Sequence, residues 1–331
     1  MKHFEYFIGI DVSKATLDFS VVKEGKQLFY QRTANNPKAI RQLLSLVAKE
    51  YCPDLFKAVF CMEHTGIYNN HLLQALQAAQ LTIWMESAMQ IKRSIGVQRG
   101  KNDKIDAKRI ALYAYKNREG VKVWQPSREQ LQKLRQLLGI RKRLIKAKAN
   151  LKKPLGELSF LSLQGQKLLK DSNRCSLDAL QKDLDRVNKQ IEKTIQEDGH
   201  LRHVFNLVTS VKGIGKVTAT QMIVVTNEFK SITEAKKFAC YAGIAPFEHT
   251  SGTSVVGRAH VSNIADKSTK CALHMAALAA VRESGELQDY FLRKVKEGKN
   301  KMSVINAVRN KLIHRVFACV RDNRLYNTQL A

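Results

Sequence analysis

The sequence predicts an α/β unit followed by a mostly helical region. Three observations carry this: strand-like and helix-like runs interleave over the first 85 residues, two heptad-spaced runs lie between residues 127 and 200, and helical segments dominate the last third. The expected organisation is a mixed-sheet domain over 1–126, a helical arm over 127–200 and a C-terminal domain over 201–331.

In chain order, "YFIGIDVS" (6–13), "ATLDFSVV" (15–22) and "KQLFYQRT" (26–33) are three short strands joined by brief connections. "PKAIRQLLSLVAKEY" (37–51) has the 3.6-residue period of an amphipathic helix. Then come a buried strand in "KAVFCMEH" (57–64), a helix through "YNNHLLQALQAAQ" (68–80) and a strand in "LTIWMES" (81–87). Three meandering strands followed by helix, strand, helix and strand is the element order of an RNase H-like fold. In the arm, Leu137, Ile140, Leu144, Ala147 and Leu151 keep a/d spacing, as do Leu177, Leu180, Leu184, Val187 and Ile191. Pro154 and a mixed stretch to about residue 173 separate the two runs, which suggests a helical hairpin or coiled coil. Beyond Leu201 the helical segments are interrupted by a Gly/Ser/Thr-rich loop, "FEHTSGTSVVGRAHVSN" (247–263).

The 331 residues suffice for two or three domains, and a hydrophobic fraction of 44% is ordinary for a globular protein. The formal net charge is +27. So large an excess repels itself unless a polyanion screens it, and nucleic acid is the leading partner because neutralised phosphates release counterions. A membrane is the competing partner, but the sequence holds no apolar run of 18 residues and "MKHFEYFIGID" lacks a signal-peptide core, so no membrane association and a cytoplasmic location are expected. The six cysteines (52, 61, 175, 240, 271, 319) form no C-x-x-C pair, which argues against a zinc ribbon or a disulfide framework.

Four acids draw attention. Asp11 ends the apolar run "YFIGID", where Gly9 leaves room for close approach by another chain or ligand, and Glu63 ends the buried run "AVFCME". Adjacent central strands would hold the two carboxylates a few ångströms apart, where each raises the other's pKa and a cation relieves the cost. Asp103 and Asp106 sit in "GKNDKIDAKR", within a stretch from Lys92 to Lys153 that carries 20 Lys/Arg against 4 Asp/Glu. On a helix they are i and i+3 in its first turn, a place that the macrodipole also favours for acids with no other role. Together the four could bind two Mg²⁺ ions for phosphoryl transfer, with Arg99, Lys101, Lys104, Lys108 and Arg109 holding the nucleic-acid backbone. His64, beside Glu63, reads as a strand-end histidine, and His249 and His260 are not spaced as zinc ligands.

"GIDVSK", "EHTG" and "KNDKIDAKRIA", in that order, resemble the DEDD-type insertion-sequence transposases related to Piv-type DNA invertases. "VKGIGKVTATQMI", "FACYAGIAP" and "TSGTSVVG" extend the likeness, although Lys212 stands where relatives often carry proline. The resemblance implies a RuvC-like catalytic domain with Asp11, Glu63, Asp103 and Asp106 as a Mg²⁺-binding tetrad. It also implies that Ser251, first serine of the S-G-x-S-x-x-G pattern, is a nucleophile forming a phosphoserine–DNA intermediate; Ser254 is the rival within the loop. Further implications are target and donor DNA as partners, a bridge RNA joining them, and a dimer or tetramer. "GIG" independently suggests a helix-hairpin-helix turn, with Lys212, Gly213, Gly215 and Lys216 at a phosphate, and Arg258 adds charge near the serine loop. The alternatives are a metal-dependent resolvase-type nuclease that leaves Ser251 idle, an invertase without an RNA guide, and a non-catalytic nucleic-acid-binding protein.

Overall fold

A computed structural model of the chain describes residues 3–95, 102–251 and 255–327, with the backbone alone at 95, 248–251, 255, 256 and 258–260. The chain forms two compact units, Met1–Pro126 and Ser127–Ala331.

The N-terminal unit is a five-stranded mixed sheet. Its strands are β1 (Tyr6–Val12), β2 (Thr16–Lys23), β3 (Lys26–Ala34), β4 (Ala58–Glu63) and β5 (Thr82–Glu86), in the order β3-β2-β1-β4-β5. β1, β2 and β3 form an antiparallel meander, whereas β4 and β5 extend the sheet in parallel from β1. This is an RNase H-like order, and it follows from the connections. A two-residue turn with positive φ at Glu24 (51°) and Gly25 (78°) closes the β2–β3 hairpin, while helical crossovers deliver the parallel strands. One register shift interrupts β2–β3: Val22 pairs with Gln27 but Val21 with Phe29, so Leu28 is bulged out.

Alternation along the strands builds two cores. Ile8, Ile10, Phe19, Phe60 and Met62 pack against α1 (Pro37–Glu50) and α2 (Asn70–Ala78). Phe7, Val22, Val59, Cys61 and Trp84 face the other way, against α3 (Ala88–Ile95) and α4 (Asp103–Lys116). Gly9 sets the depth of α4. A Cβ at this position would lie 2.2 Å from the Ala111 nitrogen and 2.3 Å from the Ala107 oxygen, so the helix backbone rests directly on β1. The partner that the sequence left open at Gly9 is this helix.

The second unit is mostly helical. α5 (Glu129–Lys152) and α6 (Leu163–Glu197) pair antiparallel, as the contacts Arg141–Asn188 and Lys148–Gln181 show. α6 starts well before the expected residue 173, because Ser162 caps it by accepting from the Gly165 N–H. Leu131, Leu134, Leu137, Leu184, Val187 and Ile191 are buried at the root, whereas Phe160, Leu163 and Leu168 near the connection are exposed. There follow α7 (Gly199–Thr209), α8 (Lys216–Val225), α9 (Ala235–Tyr241), a hairpin of β6 (Pro246–Ser251) and β7 (Val255–Val261), α10 (Lys267–Arg282), α11 (Glu286–Lys296) and α12 (Lys301–Arg321). The hairpin corrects the expectation of a loop over 247–263. Phe247, Thr250, Val255, Val256 and Val261 supply β-forming residues on both sides of the small ones, and the two strands pair antiparallel. Arg128 joins three elements of this unit, donating to Asp198 at 2.7 Å and to buried Glu228. Glu228 is the middle of three consecutive residues with positive φ, from Asn227 to Phe229. Among the described residues no helix is long and apolar enough to cross a membrane.

Candidate functional site

The strand alternation that buries Phe7 and seats α4 on Gly9 continues to Asp11. By the same parity Asp18, Glu63 and Glu86 follow Val22, Cys61 and Trp84 onto the α4 face of the sheet. Register brings them to one end: Asp18 pairs across from Asp11, Glu63 follows the Ile10–Met62 pair, and Glu86 pairs with Glu63. α4 begins at that end. Asn102 caps it by accepting from the Lys104 N–H, which puts Asp103 and Asp106 in the first turn.

These carboxylates feel one another. Burial, then Asp106, Asp103 and Asp18, push the Asp11 carboxyl up to about 6. Burial raises Glu63 as well, with Asp11 and Asp106 adding to it. Two of the acids are held by arginines: Asp103 accepts from Arg32 at 2.6 Å and Asp106 from Arg109 at 2.9 Å. Arg32 also donates to Asp18 at 3.1 and 3.2 Å, and the Tyr30 hydroxyl donates to Asp18 at 2.5 Å. Glu86 accepts from the Tyr113 hydroxyl at 3.2 Å. The turn after Glu63 is braced by fully buried Asn69, which donates to the Glu63 carbonyl and accepts from Thr65.

Among the described residues no group of three or more His, Cys, Asp or Glu side chains is arranged to hold a metal ion as it stands. The donor chemistry nevertheless suits a hard cation. Asp11 and Glu63 are oxygen donors whose shared repulsion a positive charge relieves, and Asp103 and Asp106 already carry cationic partners.

The other candidates scatter. Lys104 lies over the Tyr30 ring, 5.0 Å from its centre, and Lys108 is exposed on α4. Lys212 donates to the Ser284 carbonyl at 2.6 Å and Lys216 to Glu192 at 2.7 Å. Gly213 has φ +94°, and a Cβ there would meet the Ala280 methyl at 2.6 Å, so packing on α10 accounts for it; Gly215 precedes α8 in open space. His64 accepts from the Gly66 N–H at 3.2 Å, a local turn contact. Arg99, Lys101 and Ser254 fall outside the described residues, as do the side chains of His249, Ser251, Arg258 and His260. Sequence reasoning missed Asp18, Arg32, Tyr30 and Glu86. The alternation of Thr16, Asp18 and Ser20 with apolar Leu17, Phe19 and Val21 was the available signal for Asp18.

A family model described as a transposase, of the DEDD type and IS110 group, matches residues 8–163. A second, described as the transposase IS116/IS110/IS902 family, matches residues 205–292. The chain belongs to this transposase family. Among its relatives are the pilin gene-inverting proteins of Moraxella lacunata and Moraxella bovis, each 27% identical over 98% of both chains. An insertion element IS110 protein of Streptomyces coelicolor is 28% identical over 38% of this chain and 30% of its own length. Of solved structures, Thermus thermophilus RuvC in complex with a Holliday junction substrate is 16% identical with a TM-score of 0.29, covering 37% of this chain and all of that one.

As a member of the family the chain is a transposase or recombinase by activity. The serine mechanism expected from the sequence, however, is corrected. The DEDD transposase match contains all four acids and ends before Ser251, and those acids sit on one face of the N-terminal unit. Ser251 closes β6 in the other unit. The chemistry these observations carry is that of acidic residues in place of a phosphoserine intermediate, and nothing in them supports a bridge RNA.

Proposed function

We propose that this transposase cuts DNA strands with a metal-dependent acidic site formed by Asp11, Glu63, Asp103 and Asp106, in the manner of a DEDD nuclease and without a serine nucleophile. The observation that carries it is electrostatic: Asp11 and Glu63 are both raised by burial and by the acids around them, a cost that an acid-lined catalytic site accepts and a structural one avoids. Mg²⁺ held by these four residues would stabilise the attacking and leaving oxygens of phosphoryl transfer.

The chain's own residues do the rest. The sheet fixes Asp11 and Glu63 side by side on parallel strands, and Gly9 lets α4 carry Asp103 and Asp106 to the same edge. Lys108, exposed on α4, contacts the DNA backbone together with Lys104 and Arg109 of the same helix, and Arg99 and Lys101, which lie outside the described residues, add positive charge just before it in the sequence. In the helical unit, the α5–α6 pair acts as a coiled-coil arm for a second subunit, since rejoining two duplexes requires two sites. The α7–α8 turn, with Gly215 and Lys216, acts as a helix-hairpin-helix contact to phosphate. Similarity over nearly the full length of two pilin gene-inverting proteins favours inversion-type rearrangement of DNA as the outcome.

Nicking of supercoiled DNA in Mg²⁺ tests the site. Asp11→Asn, Glu63→Gln, Asp103→Asn and Asp106→Asn are each expected to slow it by about 100-fold or more. Ser251→Ala is expected to cleave like the unaltered chain. A Ser251→Ala protein that cannot cleave, beside an active Asp11→Asn, would overturn the proposal.

A further inference from the structure

One side chain on the acidic face has no part in the chemistry above. Arg32 stands across the strand pair from Asp18, and its guanidinium spans two carboxylates. Nε donates to both oxygens of Asp18, at 3.1 and 3.2 Å, while Nη2 donates to Asp103 at 2.6 Å. Asp18 is 2% exposed, so its charge needs that partner, and the Tyr30 hydroxyl completes the anchor. The far end differs: the Arg32 and Asp103 side chains are 49% and 57% exposed. Arg32 is therefore clamped at its base and open to exchange at its tip, because a water-exposed pair is held weakly.

We propose, on the basis of the acidic-site reading, that Arg32 is a positioning residue that acts as a built-in counter-ion. In the DNA-free protein its guanidinium neutralises Asp103 in the place a divalent cation would, and a DNA phosphate draws it away when the duplex binds. Phosphate suits the exchange, since the planar guanidinium fork matches its oxygens as well as it matches a carboxylate. Release of Asp103 then couples metal uptake to DNA binding, and by linkage each favours the other. Asp18, although level with Asp11, serves as the anchor of the fork.

Binding of Mn²⁺ alone to the full chain without DNA, followed by electron paramagnetic resonance of the free ion, reads the competition. Arg32→Gln is expected to bind Mn²⁺ about fivefold more tightly than the unaltered chain, and Arg32→Lys, a point charge without the fork, to fall between them. A short DNA duplex is expected to tighten Mn²⁺ binding more for the unaltered chain than for Arg32→Gln. A purely structural salt bridge predicts the reverse, weaker binding in a loosened site. Unchanged or weaker Mn²⁺ binding in a folded Arg32→Gln overturns the proposal; should that variant not fold, unchanged binding by Arg32→Lys does so. Asp11→Asn separates the two ideas. If it abolishes Mn²⁺ binding while Arg32→Gln changes nothing, the counter-ion role alone fails. If Asp11→Asn binds Mn²⁺ normally, the acidic site itself fails.

Discussion

Asp11 keeps its proton up to about pH 6, because its neighbours on the sheet and on α4 are acids and because it is partly withdrawn from water. The folded chain thus binds this proton more tightly than the unfolded chain does. Stability is gained as pH falls from about 6 toward 4 and is withheld above 6, where the carboxylate is ionised. Asp11→Asn should therefore raise the stability of the N-terminal unit by about 2 kcal/mol at pH 8, with the gap closing toward pH 4. Urea melts of the two proteins across that range measure it; a gap that widens on acidification would contradict the electrostatic assignment. The same substitution is expected to slow cleavage, so stability and activity should move in opposite directions at one position.

Elements place these residues through one close backbone approach. Gly9 allows α4 to lie on β1, and Gly9→Ala should cost about 3 kcal/mol and displace the first turn of α4, with cleavage falling in step. Gly156→Ala, where a new Cβ meets nothing within 4 Å, is the control expected to melt unchanged. In the helical unit, Arg128→Ala leaves Asp198 and buried Glu228 without their shared partner and should cost about 3–5 kcal/mol by thermal denaturation. The five strands and the helices α1, α2 and α4 of the N-terminal unit were legible in the sequence as apolar or periodic runs, whereas α3 was not read from it, and Asp11, Glu63, Asp103 and Asp106 stood out at element ends. Asp18, Tyr30 and Arg32 were not, since their roles depend on which residue faces which across β2 and β3, a pairing that periodicity in one strand does not contain. The β6–β7 hairpin was hidden for a different reason: its glycine, serine and threonine content matches a loop until two such strands pair.

For the whole molecule, charge and division into units matter most. A net charge of +27 predicts DNA affinity that falls steeply with salt, with a log–log slope on the order of −5 to −9 if about 6–10 phosphates are contacted. Fluorescence anisotropy from low to moderate salt would measure it, and a shallow slope would mean that most of the basic surface stays off the DNA. The N-terminal unit has two hydrophobic cores of its own, one on each face of the sheet. Residues 1–126 expressed alone should accordingly unfold in one cooperative transition, whereas a gradual loss of signal would show that the unit depends on the rest of the chain.

The bulge at Leu28 bears on how β3 tolerates changes in length. The turn at Glu24 and Gly25 fixes Lys26 opposite Lys23, and Leu28 takes up one residue before Phe29 rejoins the ladder opposite Val21. Deleting Leu28 would restore a regular hairpin and leave Arg32 opposite Asp18. Deleting Gln31 instead would move Arg32 out of step, turning its guanidinium to the opposite face of the sheet. Two single-residue deletions three positions apart thus have opposite consequences for the guanidinium that spans Asp18 and Asp103.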